Sequence, residues 1–276
     1  MGQYAWENEW RLQELKENSF VAKHAMDKTA KWVKLVESKV PDNLQSTLEA
    51  AFNKAFVAVF EKGGALIEKT YNKDKQERIF KENEKELNIE LFNSKSIKRF
   101  ERQAKRTVLK NLSITTAEGV GLGVFGVGLP DIPLFVSVLL KSIYEIAISY
   151  GFSYTTDQEK LFILKIIDTS LQSGEGLKNK NKEINQLIYR YDMEENEDCR
   201  VDKMNEFVTE LKIIRQIDHS AQALSNELLY GKFVQSMTFV GVIGGTADVT
   251  CLKRVTDYAA LKYRRRFLLQ QKPQMD

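Results

Sequence analysis

The chain has 276 residues, 43% of them hydrophobic and 29% charged, and its 41 basic and 38 acidic residues leave a net charge of +3. This composition is that of a folded protein and excludes a disordered chain. So small a net charge gives no ground by itself for nucleic-acid binding. The two cysteines, Cys199 and Cys251, form no CxxC pair, which excludes a disulfide framework and favours the cytoplasm. The acidic N-terminus does not resemble a signal peptide.

Apolar residues recur at helical spacing through most of the chain, and no stretch shows the alternation of a β-strand. The pattern is clear over Tyr4–Val36, over Leu44–Phe60 and over Val201–Tyr230. A chain of this length is near the upper limit for one hydrophobic core. We therefore predict an all-α protein, a single helical bundle-like domain over residues 1–276.

Two local signals divide the middle of the chain. Thr156 and Glu159 have the spacing of a capping box ahead of an apolar helix, and Gly174 is placed to end that helix. Residues 174–205 are polar, so we predict a loop-rich excursion there around a short helix at Ile184–Tyr191.

Two apolar segments interrupt the charged sequence, at about 117–148 and 233–252. Glycines one helical turn apart recur in both segments, which allows two helix backbones to touch. We therefore expect the segments to pack together as a hairpin, through a set of glycines: Gly119, Gly123, Gly126, Gly128, Gly241, Gly244 and Gly245.

The first apolar segment is broken by Pro130 and Pro133, which leaves pieces shorter than the roughly 20 residues that span a bilayer. Three placements stay open for these segments: the internal core, a shallow insertion into the membrane and a true crossing. A shallow insertion would make the protein peripheral on the cell membrane.

Each apolar segment also carries one carboxylate, Asp131 or Asp248. A carboxylate in apolar surroundings must cap a helix, pair with a cation or hold a proton. Asp131, between two prolines, is placed to cap a helix. The functional alternative is a shared polar site at the two segments, a hydrolase-like carboxylate pocket.

Metal and cofactor chemistry have little support in the sequence. His24 and His219 are the only histidines, and no HExxH or CxxC motif occurs, so no metal site is predicted. Residues 121–126 match GxGxxG, but no strand precedes them, so no cofactor is predicted either.

Basic residues concentrate beside both apolar segments. Residues 95–110 hold seven basic residues against Glu101, and residues 253–272 hold seven against Asp257. Near an anionic leaflet each such residue contributes about 1 kcal/mol. We predict an anionic membrane surface or a membrane protein as partner, and no sequence-specific nucleic acid. The candidate lipid-binding residues are Lys98, Arg99, Arg102, Lys105, Arg106, Lys253, Arg254, Lys262, Arg264, Arg265 and Arg266.

Several short motifs resemble the EcsC family. They are Gly-Leu-Pro-Asp-Ile-Pro at 128–133, Tyr150-Gly151-Phe152 followed by Glu159, the glycines at 241–245, and the closing stretch 263–268. The resemblance covers roughly residues 5–270. The chain departs from the family pattern at Thr238-Phe239, where a proline is expected, and at Asp248, where an asparagine is expected.

The resemblance implies a bacterial, membrane-associated protein from an operon that encodes an ABC transporter, with an accessory role and no established activity. It supplies no catalytic residues. From the sequence we thus predict a non-enzymatic membrane-associated accessory protein. An enzyme built on Asp131 and Asp248, and a soluble helical scaffold for a protein partner, stay open as alternatives.

Overall fold

The fold is a set of helices packed around the last of them. The computed structural model describes residues 2–25, 42–63, 67, 72–89, 94–122, 131–196, 203–237 and 246–273. Within these ranges all regular structure is helical, which confirms the all-α prediction. The helices are α1 Gly2–His24, α2 Asp42–Ala58 with a π-helical turn at Val59–Gly63, α3 Lys73–Ile89, α4 Ser94–Leu122, α5 Ile132–Ser149, α6 Asp157–Leu171, α7 Gly174–Asn196, α8 Lys203–Met237 and α9 Thr246–Gln270.

Helix α5 begins where the Pro-Asp-Ile-Pro sequence predicted a start. Asp131 is its N-cap, and one carboxylate oxygen accepts a hydrogen bond from the Leu134 amide at 3.1 Å. Pro133 lies in the first turn, where a missing amide proton costs no helical bond. Helix α5 is long and apolar enough to cross a membrane, with a mean hydropathy of 1.6. Since 67% of it is buried, it equally meets the test for the core helix of a soluble protein.

In the segment after α5, the predicted helix cap at Thr156 is confirmed and the predicted loop is wrong. Thr156 caps α6, its hydroxyl accepting from the Glu159 amide at 3.2 Å. The polar stretch at 174–205, predicted as loop-rich, is one continuous helix over Gly174–Asn196. Its polar residues are interrupted by a sparse buried stripe, which holds this helix against the core: Leu177, Ile184, Ile188 and Tyr191.

Helix α9 is central and packs against α1, α4, α5, α6, α7 and α8. Every residue from Lys262 to Leu269 is buried, so this part of α9 has no solvent-facing side. A helix surrounded in this way is normally apolar all round, yet α9 carries four cations over this stretch.

The predicted glycine contacts lie largely outside the described residues. Gly119 is within α4, whereas Gly123, Gly126, Gly128, Gly241, Gly244 and Gly245 fall in 123–130 and 238–245. Packing of the two glycine-rich segments therefore stays a prediction.

One glycine that the structure does describe joins α3 to the end of α5. Gly151 has φ +84°, and a Cβ added there would lie 2.3 Å from the Cζ atom of Phe80. We expect Gly151→Ala to lower the free energy of unfolding by roughly 2–4 kcal/mol, because it adds both backbone strain and a clash. Gly176→Ala is the control, since its Cβ would meet only a side-chain oxygen at 3.7 Å. Urea unfolding of both variants measures this, and equal losses would contradict the role of Gly151.

Candidate functional site

The outward face of α4 is basic over four turns. At 3.6 residues per turn, positions 95, 98, 99, 102, 105, 106, 109 and 110 fall within an arc of about 140°. The opposite face is apolar and buried, with Ile97, Phe100, Ala104 and Val108. Six basic residues on the outward face are exposed and Arg99 is partly exposed, the six being Lys95, Lys98, Arg102, Lys105, Arg106 and Lys110. We call these seven residues and Leu109 the α4 basic face.

The one carboxylate of this segment lies at the edge of that face and pairs with cations of other helices. Glu101 accepts a hydrogen bond from the Lys16 ammonium at 2.6 Å and forms a salt bridge with Arg264 at 2.5 Å. Burial would raise the pKa of Glu101, but these two cations hold it below the ordinary value. Arg99 pairs with Glu86 of α3. Within residues 95–110 the carboxylate of Glu101 therefore lies at the edge of the α4 basic face, where cations of α1 and α9 pair with it.

The second predicted basic cluster lies inside the fold. Lys262 is 0% exposed and Arg264 is 2% exposed, and Arg254, Arg265 and Arg266 are also buried. Each is salt-bridged to a carboxylate from another helix. The prediction that these five cations face a lipid surface is corrected accordingly, because a buried and paired charge is not available to a headgroup. Lys253 is exposed and pairs with Asp257 at 2.5 Å.

Glu17 of α1 is the centre of the first buried group. Its carboxylate accepts from Lys262 at 2.9 Å and from Arg265 at 3.0 Å. Burial would raise the pKa of Glu17, but these two positive charges, with a hydrogen bond from Gln13, lower it to about 2. Burial also lowers the pKa of Lys262, to about 8, against the opposing effect of Glu17. Glu17, Lys262 and Arg265 thus hold α1 against α9, because each buried charge has its partner on the other helix.

Arg264 extends the same network along α1. Its guanidinium donates to the Glu9 carboxylate at 2.5 Å and to the Gln13 side chain at 2.8 Å, in addition to the Glu101 salt bridge. Arg264 therefore connects α1, α4 and α9 at one point.

Arg266 points to the other side of α9, towards α6. One guanidinium nitrogen donates to both oxygens of Glu159 at 2.8 Å, and the Tyr263 hydroxyl donates to the same carboxylate at 2.6 Å. Four aromatic rings surround this guanidinium, with Phe152 at 4.1 Å from its carbon. The Glu159 side chain therefore pairs with α9 and does not complete the capping box.

The two predicted acidic residues have different outcomes. Asp131 is exposed and caps α5, as its position between the prolines indicated. Asp248 lies in the first turn of α9, and its side chain is outside the described part of the structure. Whether the two share a polar site stays a prediction.

A third acidic residue, Glu145, is buried on α5, and no pattern in the sequence pointed to it. It accepts hydrogen bonds from the side-chain amides of Gln76 at 2.6 Å and Asn111 at 2.5 Å, so it links α3, α4 and α5. Burial raises the pKa of Glu145. No three metal-binding side chains converge within the described ranges. A cavity between Phe152 and Arg266 has a volume of about 10 Å³, room for one water.

This combination defines an all-α protein with a cationic helix at its centre and a basic helix face on its surface. The chain belongs to the EcsC protein family, whose pattern it matches over residues 6–268. It is similar to Protein EcsC of Bacillus subtilis (strain 168), with 25% identity over 173 residues that cover 62% of this chain. The aligned part spans 63% of that relative's length, less than two thirds of it. No solved structure matches the chain.

Residues that carry the family resemblance meet at the buried network. The Phe152 ring lies 5.7 Å from the Tyr263 ring, Tyr150 lies 6.0 Å from Phe267, and Glu159 pairs with Arg266. All of these positions are buried. In this chain these residues therefore act in packing and ion pairing within the fold.

The Glu17 group predicts a specific acid sensitivity. Because its folded pKa, about 2, lies below its ordinary value of 4.5, Glu17 stabilises the fold above pH 4.5 and loses that effect as the pH falls towards 2. We expect Glu17→Gln to lower the free energy of unfolding by roughly 3 kcal/mol at pH 7, since two buried cations lose their partner.

The difference in free energy of unfolding between wild type and Glu17→Gln should decrease steadily as the pH is lowered from 5 to 2.5. Urea unfolding of both proteins at each pH measures it. A difference between wild type and variant that does not change with pH would show that Glu17 has no depressed pKa. Glu175→Gln is the control, because Glu175 lies at the surface and its salt bridge with Lys178 is exposed to solvent.

Proposed function

We propose that this protein is a non-enzymatic accessory protein that docks on an anionic membrane surface through the α4 basic face. The observation that carries the proposal is the concentration of six exposed cations on this face, with the one carboxylate of residues 95–110, Glu101, paired at its edge. A cluster of exposed cations attracts a negatively charged leaflet, and the attraction grows with each added positive charge. A peripheral position on the cytoplasmic side of the membrane follows from it.

A bilayer fits this face better than nucleic acid does. The α4 basic face contains Leu109, which is 63% exposed, and no aromatic side chain. Proteins that bind single-stranded nucleic acid place aromatic rings among their cations to stack on bases. A leucine beside lysines and arginines instead suits the boundary between headgroups and acyl chains, where apolar and charged contacts occur together.

The proposal of a non-enzymatic accessory role is based on the contacts that the carboxylates make in the described part of the structure. Of the buried carboxylates, Glu9, Glu17 and Glu159 are paired with cations of α9, Asp168 is paired with Lys180, and Glu145 accepts from two side-chain amides. The exposed Asp131 caps a helix. These contacts hold helices together, and no substrate is needed to explain them. Action beside a membrane transporter, which the family resemblance implies, fits a protein held at the bilayer in this way.

Neutralising part of the α4 basic face tests the proposal. We expect Lys98→Gln, Arg102→Gln and Lys105→Gln together to weaken binding to phosphatidylglycerol-rich vesicles about 100-fold at low salt, at about 1 kcal/mol per charge. Flotation of the purified protein with vesicles measures the bound fraction against lipid concentration. Neutral phosphatidylcholine vesicles should bind wild type and variant equally weakly.

The matched control removes three exposed cations of α7, through Lys178→Gln, Lys182→Gln and Arg190→Gln. It changes the net charge equally but leaves α4 intact, so binding should stay within about twofold of wild type. Equal losses in the two variants would mean that net charge, and not the α4 basic face, drives binding. Failure of the wild type to bind anionic vesicles would overturn the proposal.

A further inference from the structure

Helix α1 buries two carboxylates and exposes two leucines, and its exposed charged residues are Glu7, Arg11, Glu14 and Lys23. Glu9, Gln13 and Glu17 recur every four residues and are buried against α9. The opposite side of α1 exposes Tyr4 at 74%, Leu12 at 37% and Leu15 at 58%. An ordinary surface helix has the reverse arrangement, with apolar residues towards the core. The inward face is explained by the cations of α9, but nothing in the described fold covers the leucines.

The exposed leucines adjoin the α4 basic face. Lys16 follows Leu15 directly and lies one turn beyond Leu12 on the same side of α1. Its ammonium group contacts Glu101 of α4 at 2.6 Å. Lys105 lies one helical turn beyond Glu101 on α4, so the edge of the α4 basic face is next to this contact, and the charge of Lys105 lowers the pKa of both Lys16 and Glu101. One salt bridge therefore joins the leucine-bearing side of α1 to the edge of the α4 basic face.

We infer that Leu12 and Leu15 are apolar anchors of the docking surface, and that they enter the headgroup region of an anionic bilayer beside the α4 basic face. This inference rests on the proposed function and divides membrane binding into two components. The cations supply long-range attraction, which salt screens. The leucines supply burial of apolar area, which salt does not weaken. The charge complementarity of the adjoining cations identifies the anionic bilayer as the occupant of the leucine face.

The double variant Leu12→Ser and Leu15→Ser tests the anchors. We expect it to bind vesicles of equal parts phosphatidylglycerol and phosphatidylcholine about tenfold more weakly than wild type at low salt. At about 1 M salt, where the charges are screened, wild type should keep a bound fraction that the variant lacks. Flotation over a series of lipid concentrations gives both values. The two side chains are 37% and 58% exposed and lie outside the buried core, so the variant should keep an unfolding midpoint close to that of wild type.

Helix α8 provides a closely matched control. Leu211 and Ile214 have the same spacing as Leu12 and Leu15, and they are 51% and 52% exposed. Leu211→Ser with Ile214→Ser removes similar apolar area from a helix that packs on α2, α6 and α9. Vesicle binding of this variant should stay within about twofold of wild type.

The outcomes separate this inference from the proposed function. If the α1 variant binds like wild type at both salt concentrations, or if the α8 variant loses as much binding, Leu12 and Leu15 are not anchors. In that case the proposed function still stands, provided that the α4 charge variant loses binding. If wild type binds neither anionic nor neutral vesicles, both fail. Selective loss of salt-resistant binding in the α1 variant supports the inference.

Discussion

The need to neutralise the buried cations of α9 is the constraint on which the rest of this fold depends. Lys262, Arg264, Arg265 and Arg266 lie on the part of α9 that has no exposed side. A buried charge without a partner costs several kcal/mol, so each cation requires a carboxylate from a neighbouring helix. Helix α1 supplies Glu9 and Glu17, α4 supplies Glu101 and α6 supplies Glu159. Together with the apolar contacts around them, these pairs determine which side of each helix faces α9.

This constraint also separates two kinds of positive charge that look alike in the sequence. Both basic clusters have an excess of six over 95–110 and 253–272. In α9 the excess is only local, because carboxylates from other helices cancel it inside the fold. In α4 the one carboxylate of residues 95–110, Glu101, is drawn to Lys16 and Arg264, at the edge of the outward cations. The pairing that stabilises the core thus contributes to the unbalanced charge of the α4 basic face.

Local signals predicted the helices well but could not predict the buried pairs. The start of α5 at Asp131 and the cap of α6 at Thr156 each depend on residues within one turn, so the sequence shows them directly. Arg264 and Lys262 pair with residues 255 and 245 positions earlier. No local pattern contains such a contact, and a run of arginines in a sequence is typical of an exposed helix face. One signal was available in α1, where Glu9, Gln13 and Glu17 share a side with two tryptophans, Trp6 and Trp10.

That signal also connects the core to the proposed membrane surface. Because the side of α1 facing α9 is taken by carboxylates, the leucines of α1 are left on the side facing away. The Lys16–Glu101 contact then places this leucine side next to the cations of α4. Charges inside the fold therefore determine where apolar area is exposed outside it. On this view, the buried network and the docking surface are two sides of the same helices, and the arrangement of the first sets the position of the second.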